Sequence, residues 1–253
     1  MKVLSLAVDG LERAHAEGLL TWAFQQDADV ICFQDTRCSE YSLPSNDFFP
    51  ENYHAYFADN YDDAKVNGVA VYCKKMPKAI MFGLGFMDFD HLGIYIQADY
   101  DDCSIGSIMV PPAVGECGDK ELKMRFLQQL GAHLQKVRNK KRDFILCGGW
   151  ELAWQPSDAE ESGNRLDIPG FSNEERDWLG SLYRMGYCDA FREVETDADD
   201  YTWWPDGDDG PGVRTDTHII SDSLAPHVSQ AVIESEEAFS SHAAVTIDYD
   251  IVL

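Results

Sequence analysis

Three absences narrow the class of this chain before any motif is read. No run approaches the ~18 uninterrupted apolar residues of a membrane span, so none is expected. The seven cysteines are an odd number and contain no Cys-x-x-Cys pair, which leaves no zinc site to expect. Several sit in apolar strand runs, as small buried thiols of a reducing compartment do. Positive charge is the third scarcity: 20 Lys and Arg face 45 Asp and Glu, a net charge of −25, and no lysine follows Lys141. Such a balance argues against general affinity for polyanions, which rests on cationic contacts and counterion release. It also keeps a protein soluble.

What remains is ordinary for a globular protein: 45% hydrophobic and 26% charged residues over a length that can bury a sizeable core. The first residues, one Lys and then Asp9 and Glu12, read as a strand and turn rather than a secretory leader. Cytoplasmic residence is the expectation. No linker-like composition divides the chain, so one domain over 1–253 is expected.

Residues 2–8 form the first expected strand. Leu11, His15, Leu19, Trp22 and Ala23 then recur at helical spacing, predicting an amphipathic helix over 11–26. Strands are expected at 29–33, 53–57, 68–73, 93–100 and 103–110. A long helix over 121–138 leads to a strand at 144–147. Ser172 with Glu175 three residues on is a capping box for a helix reaching about Met185. Late strands are expected at 201–204, 217–221, 231–235 and 244–249. Alternating elements predict α/β architecture with two packed sheets.

Several ordered motifs carry a resemblance. They are Ala28-Asp29-Val30-Ile31-Cys32-Phe33-Gln34-Asp35-Thr36, Gly68-Val69-Ala70-Val71-Tyr72, Gly170-Phe171 with Glu174-Glu175-Arg176-Asp177-Trp178-Leu179, Arg214-Thr215-Asp216 and Ser241-His242-Ala243. In this order they resemble the exonuclease III-like apurinic endonucleases of the endonuclease/exonuclease/phosphatase superfamily. The resemblance implies a four-layer α/β/β/α sandwich with two mixed β-sheets. In that family Mg²⁺ polarises a phosphodiester, a carboxylate activates water, and a His–Asp pair stabilises the transition state. Taken by position, this chain departs from the pattern. The family's first turn Asn is Ala7 and the second is Asp9. The metal-binding Glu is Asp35, the phosphate Tyr is Met109, and an Arg is Ile94. The central Asp is Gly149, its neighbouring Asn is Glu151, and the Asp before the final His is Ser241. Asp216 and His242 are unchanged.

Gln34-Asp35-Thr36-Arg37, Pro77-Lys78-Ala79-Ile80 and Trp203-Trp204-Pro205-Asp206 are further similar to the catabolite repression control branch, whose active site is degenerate. That resemblance implies a non-catalytic translational repressor acting with the RNA chaperone Hfq on A-rich mRNA and binding RNA weakly alone. The expected site is then a remnant (Asp9, Asp35, Gly149, Glu151, Asp216, His242) with no catalytic residue and no cofactor. Lys136, Arg138, Lys140, Lys141 and Arg142 are the expected RNA or partner contact. The alternative is a divergent abasic-site endonuclease or 3′ exonuclease, with Mg²⁺ on Asp9, Asp35 and Glu151 and with Glu151 as a displaced base. A small-substrate phosphodiesterase or phosphatase is a third reading. Trp203 and Trp204 are candidate base-stacking residues.

Overall fold

The computed structural model describes all residues except 114–117, 161–167, 196–199, 206–209 and 237. Strands β1 (Lys2–Ala7) and β2 (Val30–Gln34) run parallel at the centre of one sheet. Strands β3 (His54–Ala58), β4 (Val69–Cys73), β11 (Val228–Glu234) and β12 (Ala244–Tyr249) complete it, in the order β11-β12-β1-β2-β4-β3. The second sheet contains β5 (Ala79–Phe82), β6 (Tyr95–Asp99), β7 (Cys103–Met109), β8 (Asp143–Gly149), β9 (Tyr187–Asp189) and β10 (Asp216–Ser221). Its order is β5-β6-β7-β8-β10-β9, with β7 and β8 parallel. Both sheets are mixed, as the resemblance implied.

Three apolar clusters explain the layering. Val3, Cys32, Val71, Ile105, Cys147, Ile220 and Ile247 meet between the sheets. Leu4, Ile31 and Phe33 face outward, where α1 (Leu11–Ala16) and α2 (Leu19–Gln25) cover them. Phe144 and Leu146 meet Phe126, Leu130 and Leu179 from α3 (Lys120–Asn139) and α4 (Asn173–Arg184). The central strands are therefore buried on both faces, which is why they read as continuous apolar runs rather than alternating ones. The six described cysteines are free thiols, five of them buried; Cys117 lies outside the described residues.

Three expectations need correction. The helix over 11–26 is two helices, because Gly18 adopts φ 101° and its N–H bonds to the His15 carbonyl at 2.9 Å. A left-handed Gly just past the last turn ends α1 while the apolar stripe continues into α2. Residues 201–204 are not a strand; Trp203 instead makes isolated bridges to Val213 and His242. Strands β5 and β9 were not anticipated: at four and three residues they are too short for periodicity to register. The capping box at Ser172 and Glu175 is present as expected. No helix among the described residues is long and apolar enough to cross a membrane.

Candidate active site

The carboxyl ends of β1, β2 and β8 open onto one cleft of about 440 Å³. Its lining includes Ala7, Asp9, Asp35, Arg37, Gly149, Glu151 and His242. Five of the remnant-site residues named above thus share one pocket. The sixth, Asp216, stands opposite Gly149 in the β8–β10 ladder and bonds to His242.

The backbone around this pocket is unusual. Among the described residues, seven non-glycines have positive φ, and five of them line the cleft: Asp9, Asp35, Arg37, Asn67 and Glu151, at 48° to 61°. Left-handed geometry brings the Cβ of an L-residue close to the following carbonyl oxygen and costs roughly 1–2 kcal/mol. The surroundings hold it in place. Gly10 N–H bonds to Asp35 O at 2.9 Å, and Arg37 N–H to Asn67 O at 2.7 Å. The Glu151 carbonyl accepts from Lys123 Nζ at 2.7 Å. A side chain at Gly170 would strike that carbonyl at 2.3 Å, so glycine is required there. Strain concentrated and braced at one site is a mark of function.

His242 and Asp216 form the firmest part. His242 Nδ1 faces Asp216 Oδ2 at 2.9 Å, and that oxygen also accepts from Thr202 Oγ1 at 2.8 Å and Thr215 Oγ1 at 3.1 Å. Burial pulls the His242 pKa down, but Asp216, Asp9 and Glu151 outweigh it and the net direction is up. Trp203 stacks on the imidazole, rings 14° apart, and itself lines the cleft. Behind the pair, Arg214 bridges Asp158 at 2.8 Å and Asp189 at 2.7 Å, and Arg192 also reaches Asp158 at 2.8 Å.

Gly149 is a different kind of glycine from Gly148. A Cβ at Gly148 would lie 1.9 Å from the Ile108 carbonyl oxygen, so packing demands glycine. A Cβ at Gly149 would meet only Asp216 Oδ1 at 3.5 Å and Ala7 Cβ at 3.9 Å. The missing carboxylate is therefore not a steric necessity. Asp216 Oδ1 is buried and accepts no hydrogen bond from the described residues. Two residues on, burial raises the Glu151 carboxyl to about 7, against the pull of Lys123 and His242.

On the opposite wall, Asp9 Oδ2 accepts from Ser241 N and Oγ, both at 2.8 Å. The carboxylate gained at Asp9 is thus bonded to the residue where the resemblance expects a lost one. Arg37 forks onto Asp35, Nε to Oδ1 at 3.1 Å and Nη2 to Oδ2 at 2.5 Å, and lies 3.6 Å from Asp9. Asp9, Asp35 and Glu151 have the hard oxygens that Mg²⁺ prefers. Their placement does not fit an ion cage, because Arg37 covers both Asp35 oxygens and lies between Asp35 and Asp9, whose Oδ2 is held by Ser241. No group of three His, Cys, Asp or Glu gathers at ligand distance among the described residues.

The basic run divides. Arg142 bonds to Ser104 Oγ and the Tyr100, Asp101 and Cys103 carbonyls, and Arg138 pairs with Asp222 at 2.8 Å. These two hold the fold together, while Lys136, Lys140 and Lys141 are exposed. The run leads into the amino end of β8, and the cleft lies at its carboxyl end.

Residues 8–242 match the model of the Endonuclease/Exonuclease/phosphatase family. The chain belongs to this family. It is 30% identical to the zebrafish "DNA repair nuclease APEX1" over 98% of this chain and 81% of that one. It is 28% identical to the "Exodeoxyribonuclease" of Bacillus subtilis, over 98% of each. An AP endonuclease structure from Archaeoglobus fulgidus superposes with a TM-score of 0.87 at 21% identity, covering 99% of this chain and all of that one. These relatives overturn the expectation of a non-catalytic, Hfq-partnering regulator, since they are named as nucleases and one as a repair nuclease. They support instead the alternative, a divergent nuclease, and Glu151 lines the same cleft as His242, as that alternative requires.

Sequence reading missed Arg37, Lys123 and the Arg214 network. Lys123 left a signal: a lysine in line with Phe126, Leu127, Leu130 and Leu134 is a cation on an apolar stripe, and it is buried against Glu175 at 2.6 Å.

Proposed function

We propose that this protein is a divergent hydrolase of DNA phosphoesters, of the abasic-site endonuclease or 3′ exonuclease type. One observation carries the reading: the Asp216–His242 pair, at 2.9 Å, opens on the same cleft as a carboxyl group poised near neutrality at Glu151. The names of the relatives supply the substrate class.

In hydrolysis a water oxygen bonds to phosphorus, the ester P–O bond breaks, and the leaving oxygen takes up a proton. Glu151, with a pKa of about 7, is ionised in a large fraction of molecules at neutral pH and can take the proton from water. It stands where the absent Gly149 carboxylate cannot act. His242 is held by Asp216 through Nδ1, which fixes the ring and favours its charged form. Its Nε2–H is then the donor for a phosphoryl or leaving oxygen. Among the described residues, Arg37 and Lys65 add positive charge to the lining. Local positive groups of this kind let an acidic protein accept a phosphate at one point.

The test is cleavage of a duplex with one abasic site and of a 3′-recessed duplex. Wild type should cut at least one of them, and His242→Ala should lose about 10²–10⁴ of the rate. Failure of the folded wild type on both would remove the proposal.

A further inference from the structure

We propose that the Arg37 guanidinium is the resident cation of the cleft: it takes the position between Asp9 and Asp35 that a divalent ion would occupy, and it receives the phosphate. The inference rests on the phosphoester reading for its ligand class. Its claim about metal stands on geometry alone.

Three of the four oxygens of the two carboxylates accept hydrogen bonds, both of Asp35 and one of Asp9. Asp35 Oδ1 and Oδ2 accept from Arg37 Nε and Nη2 at 3.1 and 2.5 Å. Asp9 Oδ2 accepts from Ser241, and Asp9 Oδ1 lies 3.6 Å from Arg37 Nη2. Mg²⁺ demands near-octahedral oxygen ligation at about 2.0–2.1 Å, so an ion bridging Asp9 and Asp35 would have to displace the guanidinium that lies between them. Expulsion would break a two-point ion pair and set one cation against another.

The position is built and not incidental. Arg37 has φ 50°, a conformation arginine rarely adopts, and its N–H is fastened to Asn67 O at 2.7 Å. That bend returns the side chain over the preceding carboxylate, two residues back. Burial raises the Asp35 carboxyl, and Arg37 acts against that rise. The side chain is 47% exposed, so its guanidinium can be reached from the cleft. A planar guanidinium matches phosphate oxygens in two-point geometry.

The experiment is calorimetry of the intact protein with MnCl₂ and, separately, with inorganic phosphate in chelator. Wild type should show no Mn²⁺ binding below about 1 mM, and Arg37→Gln should bind Mn²⁺ at least about tenfold tighter. Phosphate binding should persist in chelator and weaken about tenfold in Arg37→Gln, with Arg37→Lys intermediate. Micromolar Mn²⁺ binding by wild type would overturn the inference, and that arm needs no variant to fold. Phosphate affinity unchanged in Arg37→Gln would also overturn it. Failure of the abasic-site assay with these binding results intact would remove the hydrolase reading and leave Arg37 as the cation.

Discussion

The two walls of the cleft follow different rules. One wall, Asp216 and His242, carries the residues the resemblance implies and is backed by Thr202, Thr215 and the Arg214–Asp158–Asp189 network. The other, Ala7, Asp9, Asp35 and Gly149, differs from what the resemblance implies at each position, yet its carboxylates are partnered, Asp35 by Arg37 and Asp9 by Ser241. A site released from selection should lose partners at random. Here a carboxylate appears at Asp9 opposite Ser241, and an arginine engages the shortened Asp35. The contrast teaches that chemistry can stay on a braced wall while the electrostatics of the facing wall are recomposed.

The largest expected effect breaks the braced wall. Asp216→Asn keeps the shape but removes the charge holding His242, and the abasic-site cleavage rate should fall about 10²–10⁴-fold. A fall of less than about tenfold would mean that the pair is structural.

Next in size is a stability test of the brace beneath Glu151. Lys123 is buried against Glu175 and the Glu151 carbonyl. Lys123→Met leaves Glu175 buried without its partner and should cost about 3–5 kcal/mol in urea unfolding. A loss under about 1 kcal/mol would show that the bracing is incidental.

The third test separates the walls by pH. The Glu151 pKa in the folded protein, about 7, lies above its ordinary value of 4.5. The folded state therefore holds its proton more tightly, and the stabilisation is complete below pH 4.5 and lost as pH rises to about 7. Raised His242 acts with the same sign: its contribution is full below the ordinary histidine value and is lost as pH climbs through the raised one. Glu151→Gln should flatten the stability profile between pH 4.5 and 7 and remove the limb near pH 7 from the cleavage profile. Superimposable profiles would deny Glu151 its part.

Smaller still is Gly149→Asp, which returns a carboxylate to the recomposed wall. The room measured at Gly149 predicts a stability change within about 1 kcal/mol. The smallest effect concerns the whole surface. At net −25, added salt should first raise the association rate with DNA by screening repulsion, the reverse of the usual trend.

Much of the fold was legible because buried strands and capped helices leave local signals. Residues 30–33 and 69–73 are continuous apolar runs, 244–249 alternates, and Ser172 with Glu175 marks a helix start. Gly18 could have announced the break in 11–26, but the apolar stripe on both sides masked it. The site was legible as a set of positions and not as a geometry. Motif alignment placed Asp9, Asp35, Glu151, Asp216 and His242. It could not show that Arg37 turns back onto Asp35, since that depends on a left-handed backbone. Nor could it show that Glu151, two residues past an empty position, enters the same pocket with a raised pKa. Local sequence carries neither burial nor the approach of β10 and the loop bearing His242.

The account turns on whether the His242 wall still performs chemistry. The direct measurement is cleavage of a duplex bearing one abasic site, with wild type and His242→Ala prepared side by side and both shown to be folded. The account predicts cutting by wild type and a loss of about 100-fold or more in the variant. No cutting by wild type, or equal cutting by both proteins, would contradict it.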